Sequence, residues 1–194
     1  MLETHANCER ETGEVMGDRG GFIQTWSGKR FYPLDPRPED IDVNDILHSL
    51  SNMCRFAGHC TQFYSVAQHS VLVSLLCEPE DALWGLLHDA SESFLVDIPS
   101  PLKKLPEFQA YRDAEARLMG VICDVFGLSK DEPDSVKIAD KRMLATEARD
   151  LTLTEGRGWV TDVEPYDFHI KPWTPEYTRA KFVSRLHELT LRKK

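Results

Sequence analysis

Apolar and polar positions fall into a helical period along most of this chain. Ile46, Leu47, Leu50 and Met53, at spacings of 1, 3 and 3, form one face of a first helix. Ser65-Val66-Ala67-Gln68 has the S-x-x-Q form of a capping box and fixes the start of a second. A third opens at Glu78-Pro79-Glu80-Asp81-Ala82, where proline suits the first turn and the acids complement the helix dipole. It is predicted to run until just before Asp97, since Ile98-Pro99-Ser100-Pro101 cannot continue it. The fourth presents Tyr111, Ala114, Leu118, Val121, Ile122 and Val125 on one stripe and closes on Gly127 as a C-cap. The fifth starts after Pro133-Asp134-Ser135 and carries Val136, Ala139, Met143 and Leu144. The last begins at Thr174-Pro175 and presents Val183, Leu186 and Leu189.

Upstream of the helices the pattern changes. The run from Phe22 to Trp26 and the run from Lys29 to Leu34 are β-prone, and Ser27-Gly28 between them predicts a hairpin with a two-residue turn. Prolines at 33, 36 and 38 end it. Residues 1–20, rich in charge and glycine, read as a flexible tail. The sequence carries no repeats or low-complexity linkers. The predicted architecture is all-α, one compact multi-helix domain over residues 21–194 with a small N-terminal β-hairpin.

Composition narrows the classes of function. At 194 residues and 41% hydrophobic, the chain suffices for one well-packed domain. A net charge of −9 and a pI near 5.3 argue against a broad cationic face for nucleic-acid polymers or anionic lipid. Phosphate binding would have to be local. Five scattered cysteines do not make a secreted disulfide scaffold. No stretch resembles a signal peptide or 18 apolar residues in a row. The expected location is the cytoplasm, and a membrane is not an expected partner.

The stretch Leu86-Leu-His-Asp-Ala-Ser-Glu-Ser-Phe-Leu-Val-Asp-Ile-Pro-Ser100 raises a chemical question, because it sets His88, Asp89, Glu92 and Asp97 into an apolar helical run. Buried charge is costly unless it is paired or bound to metal. On the second helix His69 shares the stripe of Val66, Leu72 and Val73. On the fifth, Asp140 falls in line with Val136, Met143 and Leu144, and Glu147 seven residues on keeps that line. Glu147 is assigned to pairing with Arg149 or Arg142 and left out of the site. A lone buried histidine is usually a hydrogen-bonded core residue, but three helices each aiming a ligand-type side chain inward are resolved together by one divalent ion. His69, His88, Asp89 and Asp140 are its candidate ligands, and this donor set accepts Zn, Co, Mn or Mg.

These residues carry a resemblance. A His, then an adjacent His-Asp on a second helix, then a distant Asp resembles the HD-domain phosphohydrolases. The stretches CRF, FYSVAQHSVLVS, LLHDASESFLVDIPSPLK and VKIADKRMLATEARDL are similar to the small bacterial and phage branch, over roughly residues 22–190. That branch includes 5'-deoxynucleotidases and phage enzymes that hydrolyse deoxyadenosine triphosphate. The resemblance implies an all-helical fold around a metal, a homo-oligomer, a bacterial or phage origin and a nucleotide substrate. It places His69, His88, Asp89 and Asp140 on the metal, with Glu92 and Asp97 beside the attacking water. The interval of 19 residues from His69 to His88 is shorter than in several relatives, so the covering loop is expected to differ.

In that chemistry Glu92 serves as general base, and Asp97 orients the water or protonates the leaving oxygen. Arg55 matches the arginine that precedes the first histidine in the resembling enzymes and suits phosphate. Lys103, Lys104 and Lys29 are candidates for β and γ phosphates, and Trp26 for stacking on a base. These cations favour a triphosphate, so the expected reaction is deoxyadenosine triphosphate to deoxynucleoside and inorganic triphosphate. The alternatives are a 5'-nucleotidase acting on deoxynucleoside monophosphates, or a non-catalytic nucleotide-binding module with a structural zinc on Cys54, His59, Cys60 and His69. Their C-x4-H-C-x8-H spacing matches no usual finger pattern.

Overall fold

The computed structural model describes residues 19–158 and 162–191. Among them the chain is mostly helical, with one antiparallel hairpin near the N-terminus, as its periodicity predicts. Strand β1 (Ile23–Gln24) pairs with β2 (Arg30–Phe31), Ile23 opposite Phe31 and Gln24 opposite Arg30. The turn differs from the predicted Ser27-Gly28. The Gly28 N–H donates to the Thr25 carbonyl and the Thr25 N–H to that of Lys29, which makes a three-residue loop of Trp26, Ser27 and Gly28. Gly28 takes the left-handed position at φ 84°, which only glycine adopts without strain. Most of the expected tail, residues 1–18, lies outside the described residues. Arg19 is held by Asp35 and Asp40.

The helices are α1 (Val43–Asn52), α2 (Val66–Leu76), α3 (Ala82–Leu87), α4 (Glu92–Leu95), α5 (Ser100–Lys103), α6 (Gln109–Phe126), α7 (Asp134–Leu151) and α8 (Pro175–Leu191). Helix α2 is the axis of the molecule: it is buried on nearly every side and packs against α1, α3, α7 and α8. Ser65 Oγ accepts the Gln68 N–H at 3.1 Å, as the capping box predicts. The Gln68 side chain does not turn back to Ser65. It donates to the Lys171 carbonyl at 2.9 Å and accepts the Trp173 N–H at 2.8 Å, which ties the segment before α8 to the central helix.

The predicted third helix is interrupted. Pro79 lies in a turn ahead of α3, and past Leu87 the backbone tightens to i→i+3 bonds, Ala90 to Leu87, Glu92 to Asp89 and Ser93 to Ala90, leading into the first turn of α4. The cause is local: His88 Nδ1 takes the Gly85 carbonyl at 2.8 Å, the acceptor that a continued helix would offer to the Asp89 N–H. Gly85 also sets how closely α3 meets α2. A Cβ there would lie 2.9 Å from Cys77 Sγ and 3.3 Å from Ser74 Cα.

Helices α6, α7 and α8 form where predicted, and Gly127 caps α6 in the left-handed conformation. The inward faces shift slightly. Val125 and Val183 are exposed, whereas Phe182 is fully buried. One cluster of the core gathers Ile46, Leu50, Val66, Leu86, Leu118 and Phe182. A second, around Tyr64, Val73, Trp84, Val136 and Met143, joins α2 and α3 to α6 and α7.

Candidate metal centre

Three helices deliver the donors. Helix α2 carries His69, which is fully buried; the tight turn after α3 carries His88 and Asp89; α7 carries Asp140. His69 Nε2 lies 3.1 Å from His88 Nε2 and 3.1 Å from Asp140 Oδ1, and His88 Nε2 is 4.0 Å from that same oxygen. Among the described residues, His69, His88 and Asp140 are the group able to hold a metal ion. Asp89 borders it, with Oδ2 at 3.3 Å from His88 Nε2 and 3.7 Å from His69 Nε2. Cys54, His59, Cys60 and His69 do not form such a group.

The hydrogen bonds behind the two imidazoles decide which nitrogens face each other. The Gly85 carbonyl can only accept, so His88 Nδ1 carries a proton. His69 Nδ1 lies 2.6 Å from Glu147 Oε1, and an ionised carboxylate can only accept as well. In the neutral rings both Nε2 atoms are therefore bare lone pairs aimed at one another and at a carboxylate. Acceptors at 3.1 Å repel unless a cation joins them. Donors about 2.1 Å from a common ion lie ~3.0–3.4 Å apart at right or tetrahedral angles, so the residues fit a divalent ion. The electrostatics also call for positive charge at this point: burial opposes charge on His88, yet the Asp89 and Asp140 carboxylates push its pKa up to about 9, so without a metal a proton on His88 Nε2 takes the place a divalent ion would fill.

Behind His69 stands a network the sequence assigned elsewhere. Glu147 is fully buried; Oε1 accepts from Tyr64 OH at 2.9 Å as well as from His69, and Oε2 accepts Arg55 Nε at 3.1 Å. Burial would raise the Glu147 carboxyl, but the Arg55 charge and the bonds from His69 and Tyr64 hold it below the usual range. Arg149, the partner expected for Glu147, instead grips Asp150, and Arg142 lies over the Tyr166 ring. The other arm of Arg55 reaches Asp89 Oδ2 at 3.3 Å. Phe56 and Ala57, just after Arg55, both hold positive φ, of 54° and 50°, strained for residues with a Cβ.

His88, Asp89 and Asp140 open onto a cleft of about 350 Å³ that also takes Glu92, Lys103, Arg112, Glu115 and Glu132 into its walls. Glu92 is buried, and its Oε2 has no hydrogen-bond partner. Burial, with Asp89 and Asp97 nearby, lifts its carboxyl well above the ordinary glutamate range. Asp97 is half-buried and outside the cleft wall. It follows Val96, whose φ of 68° and ψ of 146° belong to a region reserved for glycine, pinned by Tyr111 OH to the Val96 carbonyl at 2.5 Å.

The structure thus gathers His69, His88, Asp89, Asp140 and Glu92, with Asp97 close by. Of the expected cations, Arg55 bonds Asp89 and Lys103 reaches the cleft, whereas Lys104 and Lys29 lie away from it. Lys103 lines the cleft but pairs with Glu115 at 2.5 Å. Lys104 is exposed outside it, and Lys29 sits on the hairpin bound to Asp42 at 2.8 Å. Trp26 stacks on His48 with ring centroids 4.8 Å apart and lines a different cleft. Arg112, Glu115 and Glu132 were not found from sequence; Arg112 and Glu115 share α6 with the apolar stripe but carry no pattern of their own.

No family model matches the chain. It is 36% identical over 132 residues to the uncharacterized protein RCAP_rcc00048 of Rhodobacter capsulatus, covering 63% of this chain and 67% of that protein. It is 45% identical over 172 residues to the uncharacterized protein YfdR of Escherichia coli (strain K12), covering 87% of this chain and 96% of that protein. Identity of that degree over nearly the whole length of both chains places this protein in the family of Escherichia coli YfdR.

Proposed function

We propose that the chain is a metal-dependent nucleotide phosphohydrolase of the HD type, cleaving the phosphate linkage of a deoxynucleotide with water. The observation that carries this reading is the convergence of two facing imidazole Nε2 atoms and Asp140 beside a buried Glu92 whose Oε2 has no hydrogen-bond partner. A divalent ion held by His69, His88 and Asp140, with Asp89 adjacent, would lower the pKa of a water from roughly 15.7 toward about 7 and draw charge from a phosphoryl oxygen. Glu92 is placed to receive the proton, since it lines the cleft beside Asp89 and its Oε2 is free of hydrogen-bond partners. Asp97, just across the strained turn, is close enough for its charge to be felt by that carboxyl.

The placement of cations bears on the substrate. A triphosphate was expected from Arg55, Lys29, Lys103 and Lys104, and of these only Lys103 lines the cleft. Arg112 lines it too, but donates to the Lys103 carbonyl and, at 2.9 Å, to that of Leu105. Asp89, Glu92, Glu115, Glu132 and Asp140 face these two cations. Such a wall repels a long polyphosphate more than a single phosphate. We therefore favour deoxynucleoside monophosphates, hydrolysed to nucleoside and orthophosphate. Hydrolysis of deoxyadenosine triphosphate to nucleoside and inorganic triphosphate is the second reading, supported by Lys103 and Arg112 sharing one wall.

Product analysis by ion-exchange chromatography tests both. Purified protein is incubated with Co²⁺ or Mn²⁺ and each deoxynucleoside mono-, di- and triphosphate in turn. Orthophosphate from monophosphates alone supports the first reading, and nucleoside with intact triphosphate the second. Silence on every substrate would overturn the hydrolase reading.

A further inference from the structure

We infer that Glu147 is a positioning residue that acts through His69, and that Tyr64 and Arg55 form the clamp that holds it. The inference rests on the metal reading above and deepens it. A carboxylate with no solvent exposure has to be surrounded by donors, and Glu147 has three: Tyr64 OH at 2.9 Å and His69 Nδ1 at 2.6 Å on one oxygen, Arg55 Nε at 3.1 Å on the other. Tyr64 comes from just before α2, His69 from its first turn and Arg55 from the strained loop after α1. Together they reach both carboxylate oxygens, two donors on Oε1 and one on Oε2.

The clamp has two consequences for the site. It keeps the ring proton of His69 on Nδ1, so that Nε2 is always the atom presented to the ion, and it lends the ring the electron density of a carboxylate. Through Arg55 it also reaches the second half of the site, since the same guanidinium bonds Asp89 Oδ2 at 3.3 Å. Arg55 is thereby assigned a supporting role, as counter-ion to two site carboxylates, in place of the phosphate contact expected from sequence. A carboxylate in this position should change metal affinity about 10–100-fold when it is neutralised.

The test uses the full chain and two readouts that need no turnover. The first is Co²⁺ affinity, measured by competition with a chelator, for wild type, Glu147→Gln and Tyr64→Phe. The expected result is about 10–100-fold weaker binding in Glu147→Gln and a smaller loss in Tyr64→Phe, which removes a single donor and leaves the packing intact. The second is the ring N–H spectrum of ¹⁵N-histidine-labelled protein without metal. A His69 Nδ1–H held 2.6 Å from a carboxylate exchanges slowly and resonates far downfield. It should be present in wild type and lost in Glu147→Gln. Wild-type affinity in both variants would overturn the inference, as would a wild-type spectrum without that resonance, and the Tyr64→Phe protein and the wild-type spectrum decide the matter if Glu147→Gln does not fold. A wild-type protein that keeps the resonance but binds no Co²⁺ would instead sink the metal reading and leave the Glu147–His69 clamp standing.

Discussion

Two clefts meet at α4. Ser93 and Phe94 line one, of about 440 Å³, together with the hairpin residues Ile23 to Trp26 and with Asp45 and His48 of α1. Ser91 and Glu92, their immediate neighbours, line the other, of about 350 Å³. The larger cleft holds a satisfied set of groups: the Asp45 carboxylate accepts Ser27 N–H at 2.7 Å and Ser27 Oγ at 2.8 Å, and Trp26 is covered by His48 and by Arg179 at 4.6 Å. The smaller holds an unsatisfied one, with two facing Nε2 atoms, a carboxyl oxygen without a partner and acids whose proton affinity is displaced in both directions. Unmet electrostatic demand, more than volume, marks where a ligand belongs.

Substitutions can break or sharpen that contrast. Glu92→Gln should lower turnover about 10²- to 10⁴-fold while metal content, measured by plasma emission, stays at the wild-type level; lost metal would make Glu92 a ligand. Arg55→Ala strands Glu147 in the interior without its counter-ion, and denaturant unfolding should report a loss of ~3–5 kcal/mol. Gly85→Ala drives a methyl against Cys77 Sγ and the Ser74 backbone, and the α2–α3 contact should weaken by ~1–3 kcal/mol with a lower melting temperature. Trp26→Ala removes the His48 stack and the Arg179 contact in the larger cleft. A stability change of ~0.5–1.5 kcal/mol with turnover unaltered is expected, and a collapse of turnover would mean that both clefts belong to one site.

A pH-dependent effect is expected away from both clefts, at Asp150. There burial is outweighed by the Arg149 hydrogen bond and the Ile170 N–H, which hold the carboxyl at about 2, below its ordinary value of 3.8. A folded-state pKa below the unfolded one contributes stability above pH 3.8 that fades as the pH falls toward 2. Acid unfolding of Asp150→Asn should lack that part of the wild-type slope, and identical acid limbs would refute the assignment.

What the sequence made legible follows from which interactions are local. Most helical stripes, the Ser65 cap and the Gly127 terminus depend on neighbours within a turn or two, and they formed where predicted save for the exposed Val125 and Val183 and the interrupted third helix. The break after Leu87 did not show, because it turns on His88 choosing the Gly85 carbonyl, a choice a hydrophobic period does not encode. The donors His69, His88 and Asp140 were legible as polar groups on apolar stripes. Glu147 lay on the same stripe, but its partners Arg55 and Tyr64 are 92 and 83 residues away, so charge pairing along the helix chose the wrong arginines. The lysines are hard to place for the opposite reason, and of the three only Lys103 lines the cleft. Nearness in sequence to the site says little about the direction of a long, solvated side chain, and Lys29 and Lys103 found acids closer at hand.

The central claim is that His69, His88 and Asp140 hold one divalent ion. Titrating Co²⁺ into the protein and following its visible absorption tests this most directly, with Asp140→Ala as the comparison because that side chain is partly exposed and its removal spares the core. The account predicts saturation at one equivalent per chain in wild type and binding at least about tenfold weaker in the variant. A wild-type protein with no saturable band, or a variant whose titration overlays it, would contradict the account.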